Sequence, residues 1–158
     1  MYGLMSQQQL LISSLIEHSG KYHAETEITY CDNNGKIFKT NYKDTLLRIK
    51  KLSSGLLKLG VKTGDKVGTF AWSNLNHFEL YYGISGIGAV CHTINPRLFK
   101  DQLIFIINDA TNKILFVDKD FLNIIEDISD KIKTVKTIIV LGDDSDIPKD
   151  FKISQNIL

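Results

Sequence analysis

Three glycines, Gly83-x-x-Gly86-x-Gly88, are the residue type that lets a backbone approach a phosphate closely. A dinucleotide fingerprint, G-x-G-x-x-G, places its paired glycines first and opens a helix. Here the order is reversed, and the glycines fall toward the end of a predicted helix. They are expected to let that helix lie close against a sheet. His77-x-Glu79 has the H-x-E spacing of a zinc deaminase, which requires a later P-C-x-x-C to complete the metal site. The chain has none, so a helix-surface or structural pair is expected. His18, His23 and His92 have no Cys or His at ligand spacing. Asp143-Asp144-Ser145-Asp146 suggests a calcium loop, but an EF-hand counted from Asp143 needs Gly and Glu where Pro148 and Ser154 stand. A solvated acidic loop fits better.

Asp118 closes an apolar strand, the place where a response regulator carries its phosphorylated Asp. The paired acidic cluster on the first strand is missing, so a strand-end or helix-capping role is expected. Ser73 lies outside any G-x-S-x-G elbow, which removes support for nucleophilic hydrolysis. Arg97 follows Pro96 at a strand end, on the side where α/β proteins bind ligands. Without a visible partner it is expected to steady a loop. No residue is assigned as catalytic, cofactor-binding or metal-binding.

These residues depend on a central stretch, Gly60 to Leu98. Val67 to Trp72 is a compact apolar run suited to a strand covered on both faces. Asn74 can cap the following helix, whose inward face would be Leu75, Phe78, Tyr82 and Ser85. Ala89 to Ile94 returns as a strand. The resulting βαβ unit implies a parallel sheet. Upstream, a short amphipathic helix is expected over about Ser6 to His18, with Leu10, Leu11, Ser14 and Leu15 on one side. Thr26–Cys31 and Ile37–Thr40 read as a hairpin turning at Asn33-Asn34-Gly35. Asn41 can cap a helix to about Leu59 with Ile49, Leu52, Leu56 and Leu59 inward, stopped by Gly60. Downstream, Asp101 is expected to cap a helix with Leu103, Ile106 and Ile107 inward. Ile114–Val117 and Thr137–Leu141 are buried strands, with a helix from Phe121 to about Ile132 between them. The fold class is α/β: a doubly wound, mostly parallel sheet with flanking helices and an N-terminal β-hairpin. Residues 1–41 form the helix and hairpin, 42–141 the α/β core and 142–158 an irregular tail.

At 158 residues, 43% hydrophobic and 23% charged, the chain suits one globular domain. A net charge of +1 gives no electrostatic footprint for nucleic acid. Cys31 and Cys91 are far apart, which argues against a disulfide framework and places the chain in a reducing cytoplasm. No signal sequence or transmembrane run is visible.

Gly64-Asp65-Lys66-Val67, Trp72-Ser73-Asn74, His77 to Gly83, Gly88-Ala89-Val90 and Asn95-Pro96-Arg97-Leu98 occur in that order. Together they resemble the N-terminal part of the AMP-forming acyl-CoA synthetases, most closely the medium- and long-chain fatty-acyl-CoA ligases. The resemblance runs to about Leu141. It implies an incomplete N-terminal subdomain of a larger adenylate-forming fold. It also implies an enzyme that activates a fatty acid with ATP and Mg²⁺ to an acyl-adenylate and passes it to CoA.

That chemistry brings a carboxylate to a triphosphate and needs cations and N–H donors. The family supplies them from a Ser/Thr/Gly-rich phosphate loop, an aromatic-Gly-x-Thr-Glu motif, a ribose-binding Thr-Gly-Asp and a lid Lys. None is present. Thr63-Gly64-Asp65 has the ribose motif's letters but precedes the Val67 strand, where it reads as a turn. The chain is therefore expected to bind no cofactor and to be inactive alone, as a truncated product or fragment, with a homodimer possible. Two alternatives stay open: a self-contained flavodoxin-like binding or signalling module, and a non-catalytic assembly domain.

Overall fold

The unbroken apolar run at Ile114 becomes β5 (Ile114–Asp118), buried at all five positions. A strand with no wet face must be covered twice, and the rest of the chain does this. The computed structural model describes residues 9–32 and 35–158. In chain order they form α1 (Ile12–Tyr22), β1 (Glu27–Cys31), β2 (Ile37–Asn41), α2 (Tyr42–Lys58), β3 (Lys66–Phe70), α3 (Leu75–Gly86) and β4 (Val90–Thr93). Then follow α4 (Lys100–Asp109), β5, α5 (Leu122–Ile128), β6 (Thr137–Leu141) and β7 (Asn156–Ile157). The sheet order is β4-β3-β5-β6-β7, with every pairing parallel. β1 and β2 make a separate antiparallel hairpin. This is the expected doubly wound α/β layer.

One face of the sheet carries Leu115, Val117 and Ile138 against Leu103 and Ile107 of α4 and Leu122, Ile125 and Ile128 of α5. The other carries Val67, Ile114 and Phe116 against Leu56 of α2 and Leu80 and Ile84 of α3. Burying a single Leu or Ile in such a layer contributes about 1.5–3 kcal/mol, so these two clusters dominate the stability. Gly68 lets β3 and β5 pack tightly: a Cβ there would lie 2.7 Å from Leu115 Cδ1 and 3.0 Å from Asn112 Nδ2.

Several elements differ from the sequence expectation. α1 begins at Ile12 and runs past His18 to Tyr22; residues 1–8 lie outside the described residues. Its buried residue is Ile16, while Leu10, Leu11 and Leu15 face out. The hairpin's Asn33-Asn34 also lies outside the described residues, although Gly35 has the expected positive φ of 80°. Leu59 is exposed rather than inward.

α3 buries Leu75, His77, Leu80, Gly83 and Ile84. Phe78 and Tyr82 are only half-buried, because α3 touches the sheet on one side and α1 and α2 on another. The glycine run accordingly serves helix–helix contact rather than helix–sheet contact. A Cβ on Gly83 would lie 2.6 Å from Leu52 Cδ2 of α2. Gly88, at φ 76°, turns the chain into β4. Asp101 sits inside the first turn of α4. The helix starts instead after Phe99, whose N–H donates to Gln102 Oε1 at 3.1 Å. The helix expected from Phe121 to Ile132 is α5 flanked by two 3₁₀ turns. The tail contributes an edge strand, β7, paired with β6.

Arg48 joins three elements. Its Nε donates to Glu79 Oε1 of α3 at 2.6 Å, and its Nη2 reaches Thr40 of β2 and Thr45 of α2. Burial nevertheless pushes the Glu79 carboxyl above its ordinary value, outweighing the guanidinium beside it.

The glycines of α2 and α3 separate propensity from packing. Nothing lies within 4 Å of a Cβ built on Gly55. Gly55→Ala should therefore stabilise by about 0.5–1 kcal/mol through helix propensity alone. Gly83→Ala gains the same but overpacks Leu52, at about 1–3 kcal/mol. It should fall below the parent in urea denaturation, and a Leu52→Ala background should remove the deficit. Equal stabilisation by both alanines would show that α2 and α3 do not need this close approach.

Candidate functional site

In a sheet of this order the connections leave in opposite directions on either side of one point, here between β3 and β5. Ligands of doubly wound proteins bind beyond the carboxyl ends of the strands at that point. The order found here is the flavodoxin-like one, so the place to look is the loop after β3 and the turn after β5.

β3 delivers Trp72, Ser73 and Asn74. β5 delivers Asp118, and the turn after it Asp120. Asn74 Oδ1 accepts the N–H of His77 at 3.1 Å, capping α3 as expected. Asn74 Nδ2 donates to Asp118 Oδ2 at 3.3 Å. Asp118 Oδ1 accepts the N–H of Asp120 at 3.3 Å, which caps the 3₁₀ turn Lys119–Phe121. Trp72 Nε1 donates to Asp120 Oδ2 at 3.0 Å, and the Trp72 ring packs on Phe121 with centroids 4.9 Å apart. The crevice is thus crossed by two side-chain links of the chain's own making.

Burial raises the Asp118 carboxyl above its usual value, and the nearby Asp120 charge adds to that. The N–H of Asp120, Trp72 and Asn74 pull the other way. Asp118 and Asn74 together occupy the positive end of α3, the place a phosphate takes in nucleotide-binding relatives of this topology. An incoming phosphate would meet a filled cap and two carboxylates.

His77 lies behind this rim. It is 7% exposed, with Nε2 3.0 Å from Thr69 Oγ1 and its ring stacked on Tyr81 at 4.8 Å. Glu79 turns away toward Arg48, so the two side chains of His77-x-Glu79 share no metal. Among the described residues no group of three His, Cys, Asp or Glu is placed to hold a metal ion.

Two depressions open beside the crevice. One, of about 460 Å³, is walled by the stacked rings of Tyr30 and Phe38 on the hairpin and by Asp118, Asp120 and Asp143 at the strand ends. Lys119 Nζ and Asp146 Oδ1, 2.9 Å apart, close its far side. The other, of about 410 Å³, lies against Trp72, Ser73, His77, Tyr81 and Arg97. The backbone N–H of Arg97 donates to Asn95 Oδ1 at 2.9 Å. Its guanidinium makes no ion pair among the described residues, so the expected loop-steadying role is not carried by its charge. Thr63-Gly64-Asp65 sits at the opposite, N-terminal end of β3. There Asp65 Oδ2 accepts the N–H of Lys62 at 2.9 Å and Asp65 Oδ1 pairs with Lys113 at 3.1 Å.

Asp118, Asn74 and His77 each stand out in the sequence, but their partners do not. Trp72–Asp120, Asn74–Asp118 and Thr69–His77 join residues 48, 44 and 8 positions apart. The one local hint is the polar Nε1 of a Trp at the end of an apolar run, which needs an acceptor when it leaves water.

Burial lowers the His77 pKa below 6.5, outweighing the Trp72 backbone carbonyl that accepts from its ring and the Asp118 charge. The unfolded chain then binds a proton that the folded chain refuses. His77 stability is therefore present above the unfolded value and lost as pH falls toward the folded one. Between about pH 7.5 and 5.5 His77 should contribute a loss of folding stability in denaturation curves, opposed by the raised Glu79 and Asp118 carboxyls. His77→Gln should remove that part of the difference while Thr69 keeps a partner. An unchanged slope would show that His77 is not held neutral.

A family model described as AMP-binding enzyme matches residues 16–156. The chain is 45% identical over 142 residues to a 3-methylmercaptopropionyl-CoA ligase of Ruegeria lacuscaerulensis, and 41% identical over 142 residues to a medium-chain-fatty-acid–CoA ligase of Ectopseudomonas oleovorans. Each match covers 90% of this chain and 26% of the relative, so the chain spans about a quarter of their length. Among solved structures, the anthranilate CoA ligase AuaEII in complex with anthranoyl-AMP superposes with a TM-score of 0.78 at 21% identity, over 87% of this chain and 27% of that one. That likeness concerns the fold. With the family model and the two ligases, it establishes that this chain belongs to the AMP-binding enzymes, as the N-terminal α/β layer of an adenylate-forming fold.

Proposed function

We propose that the chain is the N-terminal portion of an AMP-forming fatty-acyl-CoA ligase. In the whole enzyme a fatty-acid carboxylate attacks the α-phosphate of ATP, pyrophosphate leaves, and the CoA thiol then displaces AMP from the acyl-adenylate. The observation that supports this is the match at 41–45% identity to a 3-methylmercaptopropionyl-CoA ligase and a medium-chain-fatty-acid–CoA ligase. ATP, Mg²⁺ and CoA are the implied partners, in a cytoplasmic setting.

The part played by these residues is to build one wall of the enzyme. The crevice between β3 and β5 is closed by Trp72–Asp120 and Asn74–Asp118. A triphosphate needs cations and free N–H groups around it; among the described residues the nearest cations are Lys119, paired with Asp146, and the single Arg97. By itself the chain adenylates nothing. A self-contained flavodoxin-like module is the less favoured alternative, since its phosphate would need the α3 cap that Asn74 and Asp118 already fill.

Two measurements test this. The 158-residue chain should give no fatty-acid-dependent ATP–pyrophosphate exchange; robust exchange would refute the division of labour. A chimera with this chain in place of the matching segment of the Ectopseudomonas ligase should fold and make acyl-CoA from a medium-chain acid. A chimera that folds, by circular dichroism and cooperative melting, yet makes none would count against the ligase assignment.

A further inference from the structure

Between Phe70, the last residue of β3, and Leu75, the first of α3, the chain must turn back within residues 71–74. One carbonyl carries that turn. The Trp72 C=O accepts the N–H of Asn74 at 2.9 Å and also a ring N–H of His77. A carbonyl has two lone pairs, so both are used. The main-chain N–H of His77 goes to Asn74 Oδ1 at 3.1 Å. His77 thus closes the turn twice, with its main chain on the cap residue and with its ring on the residue two before the cap. It stands at the third position of α3. A Glu or Gln there would reach back as an acceptor to the N–H of the cap residue. This chain has instead a donor ring that reaches back to a carbonyl.

The ring's contacts decide which nitrogen carries the proton. A carbonyl only accepts, so the nitrogen that faces Trp72 is an N–H. Nε2 lies 3.0 Å from Thr69 Oγ1, which leaves Nδ1 for the carbonyl. Burial holds the ring in its neutral form, against the pull of the Trp72 carbonyl and the Asp118 charge. A neutral ring with Nδ1–H has a bare Nε2, which accepts the Thr69 hydroxyl hydrogen. Thr69 is fully buried, and Tyr81 stacks on the ring face at 4.8 Å. The imidazole is therefore fixed at both nitrogens and across its plane. The Trp72 side chain is held from the other direction: its Nε1 donates to Asp120 Oδ2 at 3.0 Å, and its ring packs on Phe121.

We propose that His77 is the positioning residue of the crevice rim: locked as the Nδ1–H tautomer, it holds the Trp72 carbonyl against α3 and so sets the indole on Asp120. The competing reading is a histidine kept only to fill the core. The two differ in what amide substitutes do. The amide nitrogen of Asn stands where the ring has Nδ1, and that of Gln where the ring has Nε2. Every group involved lies in β3, α3 or the turn after β5, so the proposal rests on contacts inside this layer and is independent of acid activation.

Trp72 is the single tryptophan of the chain, so its indole N–H gives one resonance in a ¹⁵N–¹H correlation spectrum. Long-range ¹⁵N–¹H correlation of the parent chain should show His77 with Nδ1 protonated and Nε2 bare. An Nε2–H tautomer overturns the proposal without any substitution. His77→Asn should leave exchange of the Trp72 indole hydrogen with solvent at the parent rate. His77→Gln should speed it by about two- to tenfold, the weight of one hydrogen bond. Exchange that Gln leaves at the parent rate overturns the proposal. So does equal acceleration by Asn and Gln, the result expected from a lost core ring alone.

Discussion

The complete burial of β5 is the constraint that the rest of the structure serves. Ile114 to Asp118 has no solvent face, so apolar side chains leave it in both directions and must be met on both. A parallel neighbour cannot be reached by a tight turn, so the connections from β3 through β6 each cross a face of the sheet and bring a helix with them. The crossovers thus provide the cover that β5 needs. α3 leaves β3 on one face, and α4 and α5 serve the other. The backbone also thins within the sheet: Gly68 in β3 accepts Leu115 of β5 and Asn112 of the turn before it.

The same logic gives α3 its unusual character. It touches the sheet with Leu80 and Ile84, α2 through Gly83, and α1 near Gly86. A helix enclosed on several sides has no single apolar stripe. This is why the spacing of Leu75, Phe78, Tyr82 and Ser85 suggested the wrong face. The polar links inside it are few and specific: His77 with Thr69, and Glu79 with Arg48. Both are desolvated side chains whose ionisation shifts against the charged form, so they hold elements in register at an electrostatic cost.

Much of this was legible because it is periodic or local. Strand runs, the Asn41 and Asn74 caps, the positive-φ Gly60 and the alternation of strands with helices are properties of neighbouring residues. The parallel sheet followed from the alternation alone. What escaped notice was pairwise and distant. No local pattern states that Trp72 meets Asp120 or that Gly83 faces Leu52 rather than a strand. α1 shows a different limit: its leucines mark an apolar side, but their spacing does not state which way that side faces. Here Gly20 and Ser13 make the tighter contact with α2 and α3, because small residues let helix axes approach, and the leucines are left outside. β7 was missed because two residues carry no period; its pairing with β6 depends on tertiary placement.

The crevice between β3 and β5 illustrates how a fold can keep a binding position without using it. Doubly wound sheets leave a gap where successive crossovers part, and the exposed start of a helix there attracts negative charge. In this chain the charge is supplied from within, by Asp118 through Asn74, and Trp72 bridges the remaining span to Asp120. Carboxylates at that point repel phosphate and would lose their own partners if one entered. The rim of Asp118, Asp120 and Asp143 with the stacked Tyr30–Phe38 pair is left as a wall beside the filled crevice. The topology that elsewhere makes a binding site here makes a fixed, pre-satisfied surface. Its carboxylates are already paired by Trp72, Asn74 and the N–H of Asp120.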